Sequence, residues 1–146
     1  FRLEGEWLAL SAKTIKEVTQ NCLIRTLPHR SNNILLGLVN IRGEIQLCIS
    51  LKAFLGLDTP DTNEQHLSPV VYERMVVVER DENRWVFPVD EISGIHRIQP
   101  DKLGNVPSTV SKVSDTYTKG VIDWQYQSVS YLDDELLFYA LSRKVL

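Results

Sequence analysis

The chain has 146 residues, 43% of them hydrophobic and 24% charged, with a formal net charge of −3. That length suits one domain or two small subdomains with enough core to fold unaided. The mixed charge lacks the clustered basic face of a nucleic-acid binder, no apolar run is long enough to cross a bilayer, and two cysteines are too few for a disulfide scaffold. Cys22 and Cys48 are expected as reduced thiols. No signal-type start is visible, and the chain opens on Phe1 rather than Met, so a native terminus is expected upstream.

Phe1, Leu3, Gly5, Trp7 and Ala9 share one phase of a period-two pattern and predict a first strand, with Leu8 and Leu10 adding apolar surface on its other face. Lys13 to Thr19 predicts a shorter strand centred on Ile15 and Val18. A polar loop over 27–31 precedes the most patterned stretch. There Leu38, Val39 and Ile41 lead into Arg42-Gly43, and Ile45, Leu47, Ile49 and Leu51 then alternate with Glu44, Gln46, Cys48 and Ser50. Two apolar strands around a tight glycine-containing connection predict a hairpin with Arg42 at its tip. The alternation places Cys48 on the wetter face. Ser50 is a cap for a short helix carrying Leu51, Phe54 and Leu55, stopped by Gly56.

Residues 58–68 are polar, contain Pro60 and read as a linker. Val70 to Val78 opens a second half. A turn at Asp81-Glu82-Asn83 leads to a strand over 85–92, in which Pro88 demands an edge or a bulge. Ser93-Gly94 suggests a further bulge before Ile95 and Ile98. Residues 100–114 are loop-like, and Lys119–Trp124 and Gln127–Leu132 form a last strand pair. The tail predicts a helix over 133–144. Asp133, Asp134 and Glu135 suit its N-terminus, Arg143 and Lys144 its C-terminus, and Leu136, Leu137, Ala140 and Leu141 form its stripe. Short strands with few helices predict an all-β class, and the linker suggests two small barrels.

No catalytic constellation is found. His29, His66 and His96 are far apart and lack neighbours at metal-ligand spacing, so no metal or cofactor is expected. Phosphate-binding glycine loops and nucleophile elbows are absent from the sequence. The Asp133–Glu135 cluster is explained by helix capping, and the tryptophans and tyrosines by core packing rather than by a stacking platform for nucleic acid.

The run from Leu27-Pro28 through Gly37-Leu-Val-Asn-Ile-Arg-Gly-Glu-Ile45 to Ser50-Leu51 and Leu55-Gly-Leu57 resembles the central signature of the CheW-like domain. This domain occurs in bacterial chemotaxis coupling proteins and in the regulatory part of CheA-type histidine kinases. Phe87-Pro-Val-Asp-Glu-Ile-Ser-Gly-Ile95, Gly120-Val-Ile122 and Tyr131-Leu-Asp-Asp-Glu-Leu-Leu137 extend the resemblance over the whole chain. The resemblance implies a single domain over 1–146, built as two five-stranded barrels side by side with a groove between them. Their approximate halves are 10–57 and 69–132, with a short helix after the Arg-Gly hairpin and a C-terminal helix.

The resemblance also implies a non-catalytic adaptor. It would hold a chemoreceptor's cytoplasmic tip and a CheA-type kinase regulatory domain, in the cytoplasm at membrane-associated receptor arrays, without membrane insertion of its own. Arg42, within Asn40-Ile41-Arg42-Gly43, matches the family's coupling arginine. Ile15 and Glu17 match a strand lining the receptor side of the groove, and Gly37 matches a glycine ahead of the hairpin. Each has a plainer reading beside it: Arg42 bridges the two halves internally, Ile15 is core, and Gly37 only lets backbones approach. Two departures stand out, Ser50 where the family has aspartate and Trp124-Gln-Tyr-Gln-Ser128 where it has a glycine. A regulatory domain from a longer kinase or receiver-fused adaptor, and a barrel that binds an oligonucleotide or peptide, are the alternative readings.

Overall fold

The computed structural model describes residues 1–28, 33–57, 74–105 and 116–145. Its strands are β1 (Arg2–Leu3), β2 (Glu6–Ala9), β3 (Ile15–Gln20), β4 (Leu35–Ile41), β5 (Glu44–Ile49), β6 (Arg74–Arg80), β7 (Asn83–Val89), β8 (Leu103–Gly104), β9 (Thr118–Trp124) and β10 (Gln127–Leu132). The helices are α1 (Leu51–Phe54) and α2 (Asp134–Val145). The linker at 58–68, residues 29–32 of the polar loop with His29, and Val70, Val71 and His66 lie outside the described residues.

Two five-stranded sheets result. A terminal sheet runs β1-β2-β10-β9-β8 and a central sheet runs β3-β6-β7-β5-β4. The expected fold class therefore holds, with both helices where they were predicted. The expected halves do not coincide with the sheets. Met75, Val76, Val77 and Val78 are all buried, so β6 needs a strand on each side and a layer on each face. It finds β3 on one side and β7 on the other, which ties 74–89 to 15–49. The terminal sheet joins the two ends of the described chain through the parallel pairing of β2 with β10.

The central sheet curls until the segment following its outer strand β3 meets the other outer strand, β4. Beyond β3, Arg25 N–H donates to the Leu38 carbonyl and Leu38 N–H donates to the Arg25 carbonyl, both at 2.8 Å. Val39, Ile41, Cys48, Met75, Val77 and Val86 fill the space inside, flanked by Cys22, Ile24 and Leu36. Cys48 is thus 0% exposed, which corrects the expectation of a wetter face: closure turns that face into an interior. Gly37 is what permits the closure. At its φ of +150°, a Cβ would sit 2.1 Å from the Arg25 carbonyl oxygen.

The opposite face of the central sheet meets the terminal sheet and both helices. Leu3, Leu8, Ile49, Val76, Trp85, Phe87, Leu132, Leu137, Phe138 and Leu141 share one core with Leu51 and Phe54 of α1 and its C-cap Leu55. Each such side chain, once buried, contributes about 1.5–3 kcal/mol of transfer free energy. Ser50 caps α1 by accepting from Ala53 N–H. Gly56, at φ 71°, ends α1, with Gly56 N–H reaching Ala53 O and Leu57 N–H reaching Lys52 O. Asp133 caps α2 by accepting from Leu136 N–H. The helix buries Leu137, Phe138 and Leu141 and leaves Leu136 partly exposed, so its apolar stripe is rotated from the predicted one.

Other differences are local. The first predicted strand is a hairpin, because Glu4 takes φ 55° and the chain reverses over Glu4-Gly5. Pro88 lies on the inner strand β7, in unbroken register with β6. It falls past Val86, the residue where β5 pairs with β7, so its missing donor breaks no rung between those two strands. Residues 92–99 form no strand, and Ile95 is 84% exposed.

Candidate functional site

The β4–β5 connection is a two-residue turn, with Ile41 paired to Glu44. Arg42 and Gly43 both take positive φ, 54° and 87°. Glycine adopts that conformation freely, whereas arginine does so at a cost of roughly 1 kcal/mol. Asn40 supports the turn by accepting from Gly43 N–H at 2.8 Å. The Arg42 side chain is 81% exposed, and its Nε stands 3.1 Å from Glu17 Oε1 on β3. This contact is an ion pair without hydrogen-bond alignment, since Glu17 Oε1 is buried with no hydrogen-bond donor among the described residues. Arg42 is therefore displayed at a tip and also bridges two strands of one sheet. It is not the internal tie between halves that the plainer reading of the sequence allows.

Around this pair lies a shallow polar depression lined by Lys16, Glu17, Ile41, Arg42, Glu44, Gln46, Val77 and Arg84. Its charges alternate. Glu79 accepts from Lys16 at 2.8 Å and from Arg84 at 3.0 Å, and Glu44 accepts from Arg84 at 2.7 Å. The Lys16 and Arg84 hydrogen bonds hold the Glu79 carboxyl below its ordinary range. Gln46 Oε1 is a second buried acceptor without a hydrogen bond among the described residues. The depression thus offers acceptors inside and a guanidinium fork outside, a surface suited to polar groups of another protein.

The second concavity is apolar, with a volume of about 220 Å³. Trp7, Leu8 and Ala9 of β2, Ile122 and Trp124 of β9 and Val129 of β10 line one side, and Ile15 and Val18 of β3 the other. The coil from Ile92 to Ile98 forms its lip. Trp124 sits 5.8 Å from Trp7 and 4.9 Å from His96, both rings tilted, and Ser93 Oγ lies 3.0 Å from His96 Nε2. Trp7 and Trp124 are half-buried groove walls, while Trp85 is core as expected.

β3 separates the sequence-predicted residues. A bulge between Ile15 and Glu17 shifts the register, so Ile15 pairs with Val78 and Glu17 with Val77. Ile15 faces the apolar groove, and Glu17 faces the polar depression with Arg42 and Lys16. The resemblance implied that Arg42, Ile15 and Glu17 share one groove; instead they occupy two adjoining surfaces. Asn40 and Gly37 shape the backbone, one at the turn and the other at the closure. Sequence reasoning missed Trp7, Trp124, Val18 and the 92–98 lip as surface features. The one available signal was an isoleucine at every third position, Ile92, Ile95 and Ile98, beside Gly94.

A domain of two five-stranded sheets, with a polar hairpin tip beside an apolar groove, has the makings of a protein-binding module. The chain belongs to the CheW-like domain family, whose signature matches residues 1–142. It is 25% identical over 147 residues to the chemotaxis protein CheW of Thermotoga maritima, an alignment covering 99% of this chain and 88% of that one. It is 23% identical over 138 residues to a probable chemotaxis protein CheW of Rhizobium etli, covering 94% and 84%. Its fold is similar to that of the scaffolding protein TtCheW from Thermoanaerobacter tengcongensis, with a TM-score of 0.68 at 20% identity over 90% of this chain and 84% of that one.

Proposed function

We propose that this chain is a non-catalytic adaptor that couples a chemoreceptor to a CheA-type histidine kinase. Membership of the CheW-like family carries the reading, and the two adjoining surfaces give it a physical form. The apolar groove takes an amphipathic helix of the receptor's cytoplasmic tip, with Ile15 and Val18 supplying buried area. Arg42, steadied by Glu17 and the Asn40-supported turn, reads a carboxylate or backbone carbonyls at the edge of that helix. Gly37 acts through the backbone. The kinase regulatory domain binds elsewhere on the same body. Holding both partners raises their effective concentration and lets receptor state bias the kinase. The adaptor works in the cytoplasm, at membrane-associated receptor arrays.

The test is Arg42→Ala. The side chain is mostly solvent-exposed, so the circular dichroism and melting curve should be unchanged. Capture of the receptor's soluble tip fragment should fall about tenfold, as for loss of a charge-assisted contact. A folded variant that binds and couples normally removes Arg42 from the site.

A further inference from the structure

The apolar concavity has the size and chemistry of a small-ligand cavity. Its volume is about 220 Å³. An apolar cavity of about 150 Å³ is enough to hold benzene, so this one has room for a second fused ring. No charged side chain is among those that line it. An ionised guest would give up hydration and meet no counter-charge there, which selects a neutral one.

The rings in the wall select further. Trp7 and Trp124 lie 5.8 Å apart at 58°, and His96 and Trp124 lie 4.9 Å apart at 54°. Aromatic rings prefer tilted or offset neighbours, and a flat aromatic guest adds one more member to this series. Opposite them stand Ile15 and Val18. The polar handle is on the lip, where Ser93 Oγ and His96 Nε2 are 3.0 Å apart. A serine hydroxyl engaged in one hydrogen bond keeps the capacity for another. Val18 is 43% exposed and Ile95 84%, apolar surface at the mouth that a guest would partly cover.

We infer that the concavity binds a small, neutral, planar aromatic molecule of one or two rings, lying against Trp7 and Trp124, with one hydroxyl or N–H group turned to the Ser93–His96 pair. Binding of this kind needs neither receptor nor kinase, so it does not rest on the adaptor reading above.

The experiment titrates the whole chain by calorimetry with 2-naphthol, a neutral two-ring probe, and with naphthalene-2-sulfonate, its charged counterpart. 2-Naphthol should bind one to one with a Kd on the order of 100 μM, as suits a guest of that size. The sulfonate should bind at least tenfold more weakly. Val18→Asp and Trp124→Ala, each confirmed as folded by its melting curve, should weaken 2-naphthol about tenfold or more. Ser93→Ala should weaken it about fivefold, for one lost hydrogen bond. Arg42→Ala, in the other depression, should leave it unchanged. Absence of saturable 2-naphthol binding overturns the inference, and so does equal binding of the sulfonate. If folded Val18→Asp and Trp124→Ala both bind like the parent, the probe lies elsewhere and the inference falls. Failure of Arg42→Ala to disturb receptor capture would count against the adaptor reading and leave this site standing.

Discussion

The central and terminal sheets have equal strand counts and opposite characters. The central sheet seals itself through the Arg25–Leu38 pair, and its interior residues are at most 5% exposed. In the terminal sheet no pairing among the described residues joins β1 to β8, and Ile122 and Val129 border an apolar hollow of about 220 Å³. A filled interior resists deformation, whereas a hollow bordered by exposed apolar side chains can take up part of a partner. The difference assigns rigidity to one sheet and the greater part of the groove to the other.

The strongest way to break this contrast is at Gly37. Its Cβ would meet backbone, which has nowhere to go, so Gly37→Ala should cost about 3 kcal/mol or more in urea denaturation. Gly120→Ala in the terminal sheet meets only the Leu103 side chain, at 2.5 Å, which can shift where backbone cannot, and should cost about 1–3 kcal/mol. Equal losses would mean that closure does not matter. Next come cavities. Met75→Ala, inside the closed sheet, should cost about 2–5 kcal/mol, and Ile122→Ala, already beside a hollow, clearly less. Paired denaturation curves decide it.

The smallest effect is chemical. Burial, with a lesser contribution from Cys22, pushes the Cys48 thiol up to about 12 from 9.0. Its folded pKa is raised, so the associated stability is present below about pH 9 and is lost as pH rises from 9 toward 12. Alkaline melts should show that slope, and Cys48→Ala should flatten it. Thiol reagents should label the half-buried Cys22 first and reach Cys48 only on unfolding. Labelling of Cys48 at native rates would show that the central sheet breathes open.

Much of this was readable from residues. The alternation from Ile45 to Leu51 and the Arg42-Gly43 turn predicted β4 and β5 closely, Ser50 and Gly56 bounded α1, and the last strand pair fell within a residue of β9 and β10. What local pattern could not give was strand partnership. β5 carries a polar phase at Glu44, Gln46 and Ser50, so Cys48 read as wet although closure hides it. The bulge at Lys16 leaves little trace in composition, yet it sends Ile15 and Glu17 to different surfaces. Arg42 was legible as a tip residue, but its ion pair with Glu17 depends on how far the sheet curls.

The pairing of β2 with β10 has a consequence for the order in which the protein comes into being. Every strand of the central sheet has been synthesised by Val89, so that sheet can assemble while the rest is still on the ribosome. The groove walls wait for Trp124 and Val129, some 35–40 residues further along. A nascent molecule at that stage consequently has the sturdy sheet without the groove.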